Sequence, residues 1–294
     1  MNARVRRRWS RPVLAAALVV LLAGCGGENL PPPRWERVEG ATVTQRRFTP
    51  QGEHYLGRAV AAQIIARYGY ETDPAPRKYL ALIGTYLVYA NDLPVTYKGY
   101  RFAALATPEI RAFSTPGGTV LLSRGLLDAV RSEEELAGVL AHELGHLENK
   151  DGIDSVGRSK ATSMMTAIGT LAASIVGGGG LAAALLQTFE GAVDHGVTDL
   201  VNKGYSRSQE IAADEAAVRI LRGGGYPVGP YLDFSRRAFA ESGARTASLS
   251  STHPASAERL KALEKQAGKE SGRGSASPAR EQRFTEALRS RSRG

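Results

Sequence analysis

The chain has 294 residues and a net charge of +9, but that charge is concentrated at its two ends. Five arginines in residues 1–24 and an excess of four basic residues in 264–294 account for all of it, and residues 25–263 carry 25 basic and 25 acidic residues. The composition therefore excludes a broadly basic domain, and we expect no nucleic acid as a partner.

The first 24 residues have the pattern of an export signal. An arginine-rich leader precedes an apolar run over 13–23, which is short for a membrane-spanning helix. The run ends in LAGC, which resembles the bacterial lipobox, and Cys25 is the only cysteine in the chain. We predict a lipoprotein signal peptide over 1–24 and a lipid on Cys25. The alternative is an ordinary signal peptide cut nearby, with Cys25 incidental.

Composition divides the rest of the chain into three parts. Residues 25–50 are rich in proline and charge and are predicted to form a linker from the lipidated Cys25. Residues 51–266 have the length and patterning of one domain. Residues 267–294 are rich in Gly, Ser, Arg and Glu and are predicted to form a disordered basic tail, with a candidate short helix at 284–288.

Hydrophobic periodicity predicts a mainly α domain with a small β-sheet, an α+β fold. Ser132 and Glu135 form a capping-box pattern at the start of the clearest predicted helix. The predicted helices cover 51–68, 76–90, 132–149, 206–221, 229–240 and 256–266. The predicted strands cover 101–106, 110–114 and 119–122.

Residues 161–189 contain no charged side chain, so a membrane-spanning helix has to be considered. The four glycines at 177–180 interrupt the segment, and its larger apolar residues recur on one side only. These features favour two helices joined by a glycine loop. A loop that gates a cleft or touches a membrane surface is a third interpretation.

The sequence HELGH at 142–146 predicts a metal site. Residues four apart lie on one face of a helix, so His142 and His146 can bind one zinc ion through their imidazole nitrogens. Glu143 lies about 100° around the helix, where it can act as a general base on water without being a ligand. Gly145 lowers helix propensity, which indicates close approach of another backbone. The alternative is a helix with two histidines that are satisfied by hydrogen bonds.

A third protein ligand would define the class of metal site. A metzincin site requires glycine at 149 and histidine at 152, but the chain has Asn149 and Gly152. On the later helix, Glu210 is a candidate third ligand, and Asp214 one turn further can accept the second ring N–H of a ligand histidine. Alternatively, Glu210 is a surface carboxylate on an amphipathic helix.

Four segments in this order resemble one known family, over approximately residues 50–266. They are AFSTPGGTVLLSRGLL, EEELAGVLAHELGHLENKD, SQEIAADEAAV and STHPASAERL. The family is that of the membrane-associated zinc metallopeptidases, which includes the CAAX prenyl proteases and HtpX, and the similarity is greatest to its BepA-like branch of periplasmic lipoproteins. The resemblance implies a minigluzincin-like zinc peptidase domain. It also implies that one zinc is held by His142, His146 and Glu210, with Glu143 as base.

The resemblance implies further residues with less certain roles in the site. Ala112, Phe113, Ser114 and Thr115 match an edge strand that binds an extended peptide. Arg111 departs from the asparagine usual there. His253 resembles a histidine near the zinc that either stabilises the oxyanion or occupies the open zinc position, and Arg259 is a candidate for sharing the oxyanion role. Alternatively, both are solvated surface groups.

The remaining histidines, His54 and His195, show no metal-like spacing, so we expect structural or surface roles for both.

The leading functional hypothesis is a membrane-anchored periplasmic zinc metalloendopeptidase that cleaves misfolded or stalled envelope proteins. Gly26 after the cysteine, instead of aspartate, favours the outer membrane by its resemblance to lipoprotein sorting signals. The second hypothesis is a chaperone or assembly factor for outer-membrane proteins with a latched or structural zinc site. An exopeptidase would need a charged group that captures a peptide terminus, and no motif identifies one.

Overall fold

A computed structural model describes residues 49–155, 194, 201, 203–240, 249, 251–268 and 277–289, all of which belong to one compact unit, Gly40–Gly294. The predicted signal peptide, Cys25, almost all of the linker and the uncharged segment 161–189 lie outside the described residues. Among the described helices, none combines the length and apolarity needed to cross a membrane.

Two helices open the described part of the chain: α1 (Pro50–Tyr68) and α2 (Pro74–Ala90). Each begins with a proline in its first turn, where the missing N–H is not needed. The side chain of Thr49 accepts a hydrogen bond from Gly52 N, and that of Asp73 accepts one from Ala75 N. Both helices therefore start at a side-chain cap that satisfies a free backbone N–H.

A three-stranded sheet follows, formed by β1 (Arg101–Leu105), β2 (Ala112–Thr115) and β3 (Thr119–Ser123). The strand order is β1-β3-β2, with β1 parallel and β2 antiparallel to β3. Ala112 pairs with Leu122, and Thr115 pairs with Thr119. The prediction that residues 112–115 form an edge strand therefore agrees with this topology.

The remaining elements are helical. They are α3 (Arg124–Ala129), α4 (Glu133–Asn149), α5 (Asp151–Ser155), α6 (Arg207–Gly223), α7 (Gly229–Ala240), α8 (Ala257–Ala267), α9 (Pro278–Phe284) and a π-turn (Thr285–Arg289). Helix α4 carries HELGH and is buried along its first 14 residues, His146 included. It packs against α6 more extensively than any other pair of described elements.

Gly145 explains how closely α4 and α6 approach. A Cβ atom at this position would lie 2.9 Å from the Ala213 carbonyl oxygen and 3.0 Å from the Ala216 Cβ. Any larger residue would push the helices apart. The predicted close approach of another backbone at Gly145 is therefore confirmed, and it brings Glu210 on α6 next to the histidines on α4.

The fold class is confirmed, and the six helices and three strands predicted within the described residues are all present, with ends shifted by at most two residues. At the start of α4, Ser132 caps Glu135 N as predicted, but the Glu135 carboxylate accepts from Arg131 N instead of closing a capping box. Helices α3 and α5 were not predicted, since each has only five or six residues.

The prediction of a disordered tail over 267–294 is wrong for residues 277–284, which include α9, whereas the candidate short helix at 284–288 agrees with the π-turn Thr285–Arg289. Phe284 is buried in the main hydrophobic core. Arg283 donates to both carboxylate oxygens of Glu133, at 3.2 and 2.7 Å. Glu133 also accepts from the Tyr79 and Tyr226 hydroxyls. Composition predicted disorder because it could not show that Arg283 pairs with Glu133, a buried carboxylate at the start of α4.

Candidate metal centre

Three side chains on two helices converge at one point in the interior. His142 and His146 lie one turn apart on α4, and their Nε2 atoms are 3.1 Å apart. From α6, Glu210 places Oε2 3.4 Å from His142 Nε2 and Oε1 3.4 Å from His146 Nε2. All three residues are buried, so the predicted grouping of these ligand candidates agrees with the structure.

His253, between α7 and α8, joins this group. Its Nδ1 atom lies 3.0 Å from Glu210 Oε1 and 3.3 Å from His142 Nε2. One donor atom from each of the four residues lies within 4.8 Å of all the others. In a tetrahedral zinc site with bonds of about 2.0–2.1 Å, neighbouring ligand atoms are about 3.3 Å apart. The spacing of the donor atoms therefore fits a zinc ion.

Carboxylates outside this group orient both histidines of α4. Asp214 Oδ1 lies 3.0 Å from His142 Nδ1, and Asp151 Oδ2 lies 2.7 Å from His146 Nδ1. When each Nδ1–H donates to its carboxylate, each Nε2 presents a lone pair toward the other. Two facing lone pairs beside a carboxylate require a cation or a proton between them. The donor set thus fits a divalent metal.

The charges of the metal-free site agree with this need for a cation. Burial disfavours a charged imidazole, but the hydrogen bonds to Asp214 and Glu210 outweigh it and raise the pKa of His142 to about 10. Burial alone would raise the pKa of Glu210, but His253, His142 and His146 hold it well below its usual range. The surroundings thus favour positive charge at the position between His142 and Glu210, and they keep Glu210 ionised.

Arg259 holds the two carboxylates of α6. Its Nε and Nη2 atoms each donate to Asp214 at 2.9 Å, and its Nη1 lies 2.6 Å from Glu210 Oε2. Nη1 also donates to the Pro254 carbonyl oxygen. Each nitrogen of the buried Arg259 contacts a carboxylate or a carbonyl oxygen, which indicates that it holds Asp214 and Glu210 in place, and its share in stabilising an oxyanion stays a prediction.

Glu143 has the surroundings expected of a reactive carboxylate. It is fully buried, and neither of its oxygens accepts a hydrogen bond. His253 Nε2 lies 3.2 Å from its Oε1. A buried carboxylate without a donor is costly, which indicates that a further group binds there. Beside it lies a mainly apolar pocket lined by Leu126, Val139 and Phe234, among others.

The outward edge of β2 opens onto the same site. Backbone groups of residues 111 and 115 point toward β3 and the turn, so those of Ala112 and Ser114 point away from the sheet. His253 Nε2 lies 3.3 Å from the Ala112 carbonyl oxygen, and the Tyr205 hydroxyl donates to the Ser114 carbonyl oxygen at 3.4 Å. Both outward carbonyls therefore contact a side chain next to the metal site.

Sequence reasoning missed three residues of this centre. Asp151 follows the αL residue Lys150, which turns the chain back toward His146. Tyr231 donates to Asp214 Oδ1 at 2.8 Å, and the ring of Tyr205 stacks on His146 with centroids 3.9 Å apart. Only Asp151 had a sequence signal, as an acidic residue just after the motif. The two tyrosines reach the site through tertiary packing alone.

Two other residues make their contacts outside the metal centre. His54 is buried beside Arg101, whose Nη1 lies 3.3 Å from its Nδ1, which agrees with the expected structural role. Arg111 stacks over the Tyr68 ring and pairs with Glu109. His195 lies outside the described residues.

Comparison with known proteins decides the family. Residues 74–267, about two thirds of the chain, match Peptidase family M48. The chain belongs to this family. The matched range includes every described residue of the metal centre, from α4 through α8.

Two curated relatives from Escherichia coli (strain K12) share this region. The chain is 33% identical to metalloprotease LoiP over 172 residues, which cover 58% of this chain and 61% of LoiP. It is 30% identical to metalloprotease YcaL over 171 residues, again 58% and 61% of the two chains. The beta-barrel assembly-enhancing protease of the same organism is 23% identical over 227 residues, 75% of this chain and 44% of that protein. The similarity thus spans about half to three fifths of these relatives.

Proposed function

We propose that the protein is a zinc-dependent metalloendopeptidase of family M48. The observation that carries the proposal is the convergence of His142, His146 and Glu210 beside Glu143, a buried carboxylate with no hydrogen-bond donor. A structural zinc site has no need of such a carboxylate. The relatives named as metalloproteases support the same reaction class.

The residues divide the chemistry among them. Zinc, when bound, supplies a Lewis acid that lowers the pKa of water and polarises a peptide carbonyl. Glu143 takes a proton from the attacking water and returns it to the leaving amine. Asp214 and Asp151 keep both histidines in the tautomer that presents Nε2. Arg259 keeps Glu210 and Asp214 in place.

The edge of β2 is the proposed binding place for substrate. Ala112 and Ser114 can pair with an extended peptide through backbone hydrogen bonds, which tolerate many sequences. The apolar pocket next to Glu143 has a volume of about 30 Å³, so it would accept only a small apolar side chain beside the scissile bond. The proposed substrates are therefore unfolded segments, which expose extended backbone and apolar side chains together.

The proposed setting is the periplasmic face of a bacterial membrane, most simply the outer membrane, with Cys25 carrying the lipid. Similarity to a relative named as a beta-barrel assembly-enhancing protease supports misfolded or stalled envelope proteins as substrates. A tether at Cys25 would restrict cleavage to proteins near the bilayer.

A second candidate is a chaperone or assembly factor with a latched zinc site, and the position of His253 favours it. His253 Nδ1 takes the place of a fourth ligand, and its ring contacts both Glu143 and the Ala112 carbonyl oxygen. With His253 there, the metal position, the base and the edge strand are all covered. This state would not cleave, so any binding of unfolded protein would have to use a surface other than the edge of β2.

The test follows cleavage of an unfolded β-barrel protein by the zinc-loaded full chain, with fragments identified by mass. Glu143→Gln should retain zinc and lose about 100-fold or more in rate, since it removes the base but no ligand. Glu148→Gln, on the same helix and paired with Arg219, is the matched control and should cleave normally.

Three outcomes separate the candidates. Internal cuts that vanish in Glu143→Gln establish the endopeptidase. No cuts from the parent chain, with cuts appearing in His253→Ala, establish a latched enzyme. Zinc bound at full occupancy with no cuts from either chain would contradict the hydrolase.

A further inference from the structure

A groove lies between one face of α1 and one face of α2. Its walls are one face of each helix, at positions 58, 61, 62 and 65 of α1 and 77, 78, 81 and 85 of α2. Its floor comes from β1 and β3. The groove encloses about 580 Å³, which lies in the range of ligand-binding pockets. It shares no residue with the metal centre, so an inference about it goes beyond the proposed hydrolase.

The charges around this α1–α2 groove have one sign. Arg58, Arg77, Lys78 and Arg101 line it, and no acidic residue does. Among the described residues, Arg58, Arg77 and Lys78 form no ion pair, and Arg101 contacts only His54 and a backbone carbonyl through its guanidinium. Four cations without a carboxylate produce a local positive field, although residues 25–263 are neutral as a whole.

The floor of the groove is apolar. Ala103 of β1 contributes to it, and Ala62, Ile65 and Ala81 add accessible apolar surface on the walls. An anion that is held only by surface cations would not need such a floor. The combination of a cationic rim with an apolar floor fits a ligand that has an anionic head and a hydrocarbon part.

The outer face of α2 continues the apolar surface beside the rim. Leu82, Tyr86 and Tyr89 recur at helical spacing after Lys78, and they are 56%, 48% and 81% exposed. Tyr70, at the groove itself, is 40% exposed. Exposed tyrosines and leucine next to Lys and Arg are typical of surfaces that lie at a membrane interface, where the rings sit at headgroup level.

We propose that the α1–α2 groove binds the headgroup of an anionic phospholipid and that this face of the domain rests on the bilayer. Arg58, Arg77 and Lys78 contact the phosphate, and the Leu82, Tyr86 and Tyr89 stripe lies among the headgroups. A peptide with acidic side chains is the competing occupant. The exposed aromatic stripe favours the membrane, because an acidic peptide gains nothing from exposed apolar side chains beyond the groove.

Native mass spectrometry of the full chain in a neutral detergent tests the proposal by counting retained lipids. The probes are phosphatidylglycerol, phosphatidylcholine, inorganic phosphate and an oligoglutamate peptide, each at equal concentration. We expect phosphatidylglycerol to be retained over phosphatidylcholine. In the triple variant Arg58→Ala, Arg77→Ala, Lys78→Ala, we expect its affinity to fall about tenfold or more, because three cations near an anionic surface are lost.

A charge-matched control removes three exposed cations elsewhere, Arg67→Ala, Arg131→Ala and Arg207→Ala, and should keep the parent affinity. Thermal unfolding of both triple variants shows whether they fold. Equal retention of the two lipids, or an equal loss in both variants, overturns the proposal. Saturable binding of phosphate alone or of oligoglutamate alone at the groove also overturns it, in favour of a phosphate site or a peptide site.

Discussion

Asp151 offers the sharpest test of the metal centre, because it holds His146 without touching the metal position. Its Oδ2 lies 2.7 Å from His146 Nδ1, and the residue is only 4% exposed. A short contact between a buried carboxylate and a ring N–H is charge-assisted, and it raises the basicity of the opposite nitrogen. Asp151→Asn keeps the size of the side chain and removes the charge.

We expect Asp151→Asn to weaken zinc binding by about 10- to 100-fold, or roughly 1.4–2.7 kcal/mol. The magnitude corresponds to loss of one outer carboxylate, since His142, Glu210 and their partners remain. Competition with a chelator of known zinc affinity measures the change. Excess zinc should restore most of the cleavage rate, because Glu143 is unaltered.

Asp154→Asn, an exposed carboxylate on the same short helix α5, is the matched control and should bind zinc like the parent chain. If Asp151→Asn also kept the parent affinity within about twofold, the proposed role of outer carboxylates at this site would be refuted.

Three further predictions concern stability. Phe284→Ala should lower the free energy of unfolding in urea by about 3 kcal/mol, because Phe284 is buried in the main core. Thr285→Ala, at an exposed position, should change it little. Equal stability of the two variants would support the prediction of a disordered tail. Gly145→Val should greatly reduce both folded yield and zinc content, as its side chain would meet Ala213, and a normal zinc stoichiometry would refute the close helix contact. In the metal-free chain the pKa of His142 is raised to about 10, so its contribution is complete below about pH 6.5 and is lost as the pH rises through about 10. Urea unfolding at pH 6, 8 and 9.5 should therefore show falling stability without zinc and a smaller fall with it, and a rise without zinc would contradict this sign.

The sequence predicted most of the described fold because its strongest signals are local. Helix α7 has the predicted ends, 229–240, since its apolar residues repeat at helical spacing between Gly and Pro signals. The same local geometry placed His142 and His146 on one face. The prediction of Glu210 as a ligand required a further assumption, which was that a second helix supplies the third ligand.

The parts that local patterns could not predict depend on contacts between distant residues. Glu133 and Arg283 are 150 positions apart, so the composition of the tail could not show their ion pair. Tyr231 is 89 positions from His142 and has no motif of its own. His253 was a candidate only through the family resemblance. In each case the residue type is common on surfaces, and only packing shows that it is buried.

The contacts of His253 and Tyr205 link substrate entry to the fourth metal position. Tyr205 N donates to the Thr252 carbonyl oxygen at 3.2 Å, which joins the two residues through the backbone next to His253. Their side chains reach the Ala112 and Ser114 carbonyls, the two outward acceptors of β2. A peptide that pairs with β2 has to displace both, and displacing His253 also frees Glu143 and the fourth vertex. In the proposed enzyme, an extended substrate would therefore open the site that cleaves it, and a folded protein with no free strand would leave the site closed.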